Sequence, residues 1–284
     1  MPSVRILTTV TLFSISLFIA GCAAVHEKPA ASQTSKKIAS SDCKTILGLD
    51  SIYQKNIILF GELHGTNEIP RMFGNVACNA IVSQPSKRIL IGLELPGDFD
   101  RAFLKIGKVP ETQILSEVDR MDFWRAMKDG RHSRAMRELT LRLISYAHTS
   151  GGRVFLIAFE RPNIDSIGAA AILSRIEEVH ADQTLILVGN NHARKVRMPN
   201  GPAYPPMGEN LGRGGESIVS LDGRFEAGRA WICMSQCAAR PISSPLHIGR
   251  DGEFVELMPG IAGYDGIFHL SQLTVSDAEN GPIN

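Results

Sequence analysis

Two histidines in this chain stand three residues after a glycine that closes a short apolar run. The first unit is Gly61-Glu62-Leu63-His64-Gly65, after the run 56–61; the second is Gly189-Asn190-Asn191-His192, after the run 184–189. A glycine at the end of a strand lets the chain turn sharply and lets a ligand approach the backbone. The imidazole that follows can then face a crevice. Two further apolar runs, 89–95 and 153–159, also finish in charge. The second holds Glu94, and the third is followed by Glu160 and Arg161. Charged groups at the ends of apolar strands are expensive to bury without partners, so their gathering at one rim points to a site. Glu62, His64, Glu94 and His192 are the expected catalytic residues. His64, Glu94 and His192 also suit a divalent metal (Mn, Co or Zn) with an open coordination position. The same groups can work without metal, a carboxylate activating water while the imidazoles carry protons. Arg131, Glu160, Arg161 and Arg194 are the expected substrate-binding residues. Arg131 lies in Asp129-Gly130-Arg131-His132-Ser133, just ahead of a helical pattern, where a helix N-terminus would help it hold an anionic group.

The elements that must position these residues follow from periodicity. The four apolar runs read as strands buried on both faces. Between them lie helical patterns. One opens near Pro70 and buries Phe73, Val76, Ala77, Ala80 and Ile81. A second spans 133–149, ends at Gly151 and Gly152, and carries Met136, Leu139, Leu143 and Ala147 inward. A third spans 164–180 with Ile172, Ile176 and Val179 inward. Strand–helix–strand alternation predicts an α/β fold: a mainly parallel sheet with helices on both faces. The more polar residues 98–130 are expected to form a helical insertion. Residues 198–215, rich in Gly and Pro, read as a long loop. Shorter strands are expected at 217–221, 229–233, Phe254–Leu257 and 266–270, some of them adding antiparallel edges. In such sheets ligands bind beyond the carboxyl ends of the strands, where Glu62, His64, Glu94, Glu160, Arg161 and His192 fall.

Composition and missing motifs narrow the chemistry. The chain has 284 residues, 44% hydrophobic and 21% charged, with 30 basic and 29 acidic side chains. It is globular, and the balanced charge gives no broad attraction to nucleic acid, so no nucleic-acid partner is expected. There is no Gly-x-Ser-x-Gly elbow, no His-Glu-x-x-His, no P-loop and no complete Gly-x-Gly-x-x-Gly. His132, His148, His180, His247 and His269 are scattered and are expected to be structural or surface residues, and His26 falls in a tether.

The N-terminus is of another kind. Arg5 is the only charged side chain before the apolar run 6–20, which closes on Ile19-Ala20-Gly21-Cys22. The run is short for a membrane span and fits a signal-peptide core. It resembles the bacterial lipobox, with Ile19 where Leu is usual. The resemblance implies cleavage before Cys22, lipidation of Cys22 and a membrane anchor on the extracytoplasmic side of the cell envelope. Residues 1–21 are then the signal peptide, 22–41 a lipidated flexible tether, and 42–284 a single α/β domain. An oxidising compartment permits disulfides among Cys43, Cys78, Cys233 and Cys237. Of the three pairings, Cys43–Cys78 and Cys233–Cys237 are preferred because each is close along the chain.

The stretch 58–68, Ile-Leu-Phe-Gly-Glu-Leu-His-Gly-Thr-Asn-Glu, together with Asn190-Asn191-His192-Ala193-Arg194 and the acidic Glu94, resembles the superfamily of erythromycin esterases, Tiki proteases, TraB-like proteins and ChaN-type haem-binding lipoproteins. The resemblance runs from about residue 56 to about 270. It implies a ChaN-like α/β sheet. Residue by residue, it makes His64 and His192 the family histidines, Glu62 the acid of the first motif, and Glu94 the acid after the second strand. The esterase branch implies water attacking an ester or lactone, the Tiki branch a metal-dependent peptidase. The expected function is therefore an envelope hydrolase acting on an ester or peptide substrate. The ChaN branch implies haem instead, with Tyr204 and Tyr264 as the available phenolates. A scaffold that kept only the fold is the third alternative.

Overall fold

Strand β1 (Ile57–Glu62) is wholly buried and alternates its side chains between two cores. Ile58 and Phe60 enter one, Ile57 and Leu59 the other. That is why the run reads as continuous apolar residues and not as a polar–apolar alternation. In the computed structural model, which describes residues 38–125, 129–199, 201, 203–233, 236–243 and 249–277, the same logic extends to β2 (Ile89–Leu93), β3 (Val154–Ala158) and β4 (Gln183–Gly189). With β5 (Ile218–Cys233), β6 (Cys237–Ser243), β7 (Phe254–Leu257) and β8 (Gly266–Leu273) they make one sheet of order β3-β2-β4-β1-β5-β8-β7, β6 pairing with β5. Pairings are parallel except β5–β6 and β7–β8. The fold is thus α/β, with a mainly parallel sheet, helices on both faces and antiparallel edges.

Helix α1 (Leu49–Ile52) precedes β1. Helix α2 (Glu68–Ser83) begins two residues before Pro70, which sits in the first turn where its missing N–H is no loss. Helix α3 (Gly97–Phe103) and α4 (Glu111–Asp119) form the insertion, and α5 (Arg134–Thr149) follows it. Ser133 caps α5 by accepting the Met136 N–H. Met72, Phe73 and Val76 of α2 and Leu139 and Leu143 of α5 fill one core. Phe60 is its hub, with ring centroids 5.5 Å from both Phe73 and Phe268. Burying a side chain of that size stabilises by about 1.5–3 kcal/mol. On the opposite face, Ala169 and Ile172 of α6 (Ala169–Val179) join Met207 and Leu211 of α8 (Met207–Gly212). The chain leaves β1 across one face and leaves β4 across the other. The adjacent ends of β1 and β4 therefore form the crevice at which open α/β sheets bind ligands.

Several expected bounds change. The helix expected at 164–180 starts as a π turn, Ile164–Gly168, before α6. The expected loop 198–215 contains α8, which Pro206 precedes. The strands expected at 217–221 and 229–233 are the two halves of β5. Its first half pairs with β1 and β8, its second with β6, a strand the sequence reading lacked. The insertion wraps Trp124, fully buried, whose Nε1 donates to the Val118 carbonyl at 2.8 Å, against Phe99 and Phe123. Cys43 is bonded to Cys78 and Cys233 to Cys237. The chain divides into Met1–Ser35 and Lys36–Asn284. The signal peptide, Cys22, nearly all of the tether with His26, and His247 lie outside the described residues. Among the described residues no helix is long and apolar enough to cross a membrane.

Candidate functional site

Glu62, the last residue of β1, is buried, and its Oε1 meets Nδ1 of His64 at 2.9 Å. The loop that returns His64 to its own strand end needs Gly65, whose φ of +74° suits glycine. That loop is clamped on two sides. Trp231 and Ser276 donate their backbone N–H groups to the Gly65 carbonyl at 3.3 and 3.0 Å. On another side Gly130 packs so closely that a Cβ there would lie 2.2 Å from the Gly65 nitrogen.

Glu94, just past β2, is buried and has three neighbours. Its Oε2 accepts the Gly189 N–H at 2.8 Å and lies 3.8 Å from Nε2 of His64. Its Oε1 accepts from Arg131 Nη1 at 3.0 Å. Arg131 Nη1 also reaches Glu160 at 2.9 Å, and its Nε and Nη2 grip Asp129. Burial opposes the Asp129 charge, but bonds from His132 and Arg131 hold its carboxyl well below the usual carboxylate range. Burial likewise opposes the Arg131 charge, and its acidic partners outweigh that. Arg131 was expected to hold an anionic substrate. In the structure its guanidinium contacts three carboxylates of the protein, Glu94, Asp129 and Glu160.

His192 sits on the short α7 (Asn190–Ala193) that follows β4. Its Nδ1 meets Asp165 Oδ1 at 2.8 Å, and Asp165 is buried in the π turn, where it also accepts the Met207 N–H at 2.8 Å. Such a carboxylate fixes the ring's orientation and leaves Nε2 for proton transfer. Burial pulls the His192 pKa down, but the Asp165 bond and the charges of Glu94 and Asp165 raise it above its ordinary value. For His64 burial also lowers the pKa, and Glu62 and Glu94 overcome it, lifting the group to about 9. His64 is therefore an imidazolium at neutral pH.

The two imidazoles meet around Gly189. A Cβ on that residue would stand 3.1 Å from His64 Nε2, 3.4 Å from His192 Cδ2 and 3.5 Å from Glu94 Oε2. Beside them opens a cavity of about 230 Å³, walled by Glu94, Arg131, Glu160, Arg161, Asp165, His192 and Tyr204 among others. Among the described residues Arg161 donates to the backbone carbonyls of Ala158 and Glu160 alone, both through Nη1. Glu62, His64, Glu94, Arg131, Glu160, Arg161 and His192 are thus brought together. Arg194 lies on the other side of His192: its guanidinium sits over the Tyr264 ring, 5.3 Å from the centroid, and packs on Gly263, and it lines an adjoining hollow with Asp165, His192 and Tyr204.

The expected metal ligands have other employment. Glu94 serves Arg131 and the Gly189 N–H, and the nitrogens of His64 face Glu62 and Glu94. Among the described residues no three His, Cys, Asp or Glu side chains are grouped to hold a metal ion. The donor set therefore does not fit the metal site expected of His64, Glu94 and His192. Of the tyrosines considered for haem, Tyr264 gives its hydroxyl proton to the Asn190 carbonyl at 2.6 Å, and Tyr204 is exposed at the cavity mouth. His132 is buried, stacked on Phe123, and His269 is buried, stacked on Phe254 and bonded to the Gly252 carbonyl. His180 closes α6 in the left-handed region, and Nδ1 of His148 has no hydrogen-bond partner among the described residues.

Sequence reasoning missed Asp165 and the anchoring role of Asp129. The available signal for Asp165 was a lone acid, ahead of an apolar helical stripe, five residues after Glu160.

No family model matches the chain, and no curated protein does. Solved structures are similar to it at low identity. The type III effector HopBA1 shares 13% identity over 78% of this chain and 91% of its own, with a TM-score of 0.46. A Bacillus cereus protein shares 13% over 79% and 90%, with a TM-score of 0.48. ChaN of Campylobacter jejuni, described with cofacial heme, shares 12% over 71% and 93%, with a TM-score of 0.37.

Proposed function

We propose that this cleft is the active site of a hydrolase for ester or peptide bonds, belonging to the superfamily its two Gly-x-x-His units resemble. The observation that carries the reading is the meeting of two carboxylate-held imidazoles around one glycine. His192, oriented by Asp165, takes a proton from water at Nε2 while the water oxygen bonds to the substrate carbonyl carbon. His64, held as a cation by Glu62 and Glu94, gives its Nε2 proton to the leaving oxygen or nitrogen as the old bond breaks. The product acid releases its own proton, and His192 and His64 exchange theirs through solvent, which restores the starting state. General acid–base help of this kind is worth roughly 10²–10⁴-fold per group. Arg131 holds Glu94 and Glu160 in place and does not touch substrate. No step passes through a metal, because the donors are already charge-paired.

The proposed setting is the cell envelope. Two disulfides suit an oxidising compartment, and Cys22 would supply the anchor to the membrane. The test is turnover of a panel of aryl esters, lactones and short peptides by purified protein. Activity is expected to disappear in the His64→Ala, His192→Ala double variant while the circular dichroism is retained. It is expected to survive exhaustive chelation. Loss on chelation with recovery on adding Mn, Co or Zn would overturn the metal-free mechanism, and a fully active double variant would overturn the site.

A further inference from the structure

Charge around the cleft is unevenly settled. Glu94 and Glu160 contact Arg131, Asp165 contacts His192, and Glu62 contacts His64. Asp129 contacts both Arg131 and His132. Each of these five carboxylates thus already has a guanidinium or imidazole partner, and the cluster around Arg131, His64, His192 and His132 is charge-paired within itself. Arg161 is the exception to this pairing. It lines the cavity with His192, and among the described residues no carboxylate lies within ion-pair distance of it. Its hydrogen bonds go to two backbone carbonyls, both from Nη1, so among the described residues the edge of the guanidinium formed by Nε and Nη2 has no hydrogen-bond partner.

These two facts together select one role. Resting on the hydrolase reading above, we propose that Arg161 is a further catalytic residue, the donor that holds the oxyanion, and that the substrate class is a neutral ester or amide. As water oxygen bonds to the carbonyl carbon, the carbonyl π pair moves onto its oxygen. That oxygen takes N–H bonds from the free edge of Arg161. When the bond to the leaving group breaks, the pair returns and the carbonyl reforms. With a neutral substrate the guanidinium acts only where charge develops, which is where a fixed donor lowers a barrier most. Water is a poor rival for that edge once the cavity is filled, because the donor is fixed by the Ala158 and Glu160 carbonyls and needs no reorganisation.

The test pairs turnover with binding. Arg161→Gln and Arg161→Lys are compared with the unaltered chain on a neutral aryl ester and on the same ester bearing a carboxylate in its acyl part. Removal of one oxyanion donor costs about 10²–10³ in kcat. Arg161→Gln is expected to lose that much with KM within about twofold, Arg161→Lys to recover part of it, and the carboxylate-bearing ester to be the poorer substrate throughout. A rise in KM with kcat intact, or preference for the anionic ester, overturns the proposal in favour of ground-state anion binding. Separately, a monoanionic aryl phosphonate, as a tetrahedral anion, is titrated while the His192 ring is followed by NMR. It is expected to bind the unaltered chain at least tenfold more tightly than Arg161→Gln, with a neutral sulfone isostere showing no such difference. Equal phosphonate affinity in the two proteins overturns the assignment whatever the turnover. Arg161-dependent phosphonate binding without turnover of any ester or peptide supports the anion-holding edge and overturns the hydrolase reading alone.

Discussion

Replacing Gly189 by alanine separates folding from the work of the site. Gly189 has φ −50° and ψ 139°, a conformation open to any residue, so the substitution carries no backbone strain. Compatible Gly→Ala changes stabilise by about 0.4–1 kcal/mol by restricting the unfolded chain. The new methyl, however, would stand 3.1 Å from His64 Nε2. An unstrained contact needs about 3.5 Å, so the ring must retreat by about 0.4 Å. His64 cannot simply swing away, because Glu62 holds Nδ1 at 2.9 Å. Forcing it off its rotamer costs about 0.5–1.5 kcal/mol, which offsets the entropic gain and leaves net stability within about 1 kcal/mol of the parent. Activity has no such offset. A misplacement of about 1 Å costs on the order of 10²-fold, so 0.4 Å predicts a fall in kcat/KM of roughly tenfold, and Gly189→Val should lose more. The assay is steady-state turnover of the best ester, with urea unfolding on the same samples and NMR of the His64 and His192 rings. An alanine variant with parental kcat/KM and parental stability would refute the claim that the two imidazoles act across this glycine.

Three further outcomes are expected. Arg131→Met leaves the buried Glu94 with no guanidinium and should cost about 3–5 kcal/mol in urea unfolding; a loss below 1 kcal/mol would mean the three-carboxylate grip contributes little. The rate should follow a bell against pH: it rises as His192 loses its proton at a pKa above 6.5, and falls as His64 loses its own near 9. A flat profile from pH 6 to 10 would remove both assignments. Opening the Cys43–Cys78 bond, which spans 35 residues of sequence, should cost about 4 kcal/mol by chain entropy, against about 2 for the Cys233–Cys237 bond with its separation of 4; paired Cys→Ser variants measured by thermal melting check the order.

How much of this was legible depends on how local the signal is. Gly61 to His64 and Gly189 to His192 could be read because strand, turn and imidazole are contiguous, and the strands are buried on both faces. That their strands are neighbours could not be read, since β1 and β4 are separated by more than a hundred residues and their adjacency is a fact of sheet order. Arg131 looked free because its partners Glu94 and Glu160 are remote in sequence. Asp165 was hidden by the π turn, whose i→i+5 bond from the Gly168 N–H to the Asn163 carbonyl has no sequence rule. Residues 207–212 were read as loop because Gly and Pro crowd the stretch, yet Met207 and Leu211 find a core there and fold as α8.

Every side chain assigned a part in the reaction precedes residue 193, while much of what steadies one of them comes after residue 217. The Gly65 carbonyl is gripped by Trp231 and Ser276, Thr66 bridges to Val275, and Asn67 bonds to Thr274 and Val275. A fragment truncated ahead of β5 would keep the full chemical inventory and forfeit its alignment. The tail of the polypeptide is in this sense a brace for a loop near its beginning, and the reaction site belongs to the closed chain more than to the residues that line it.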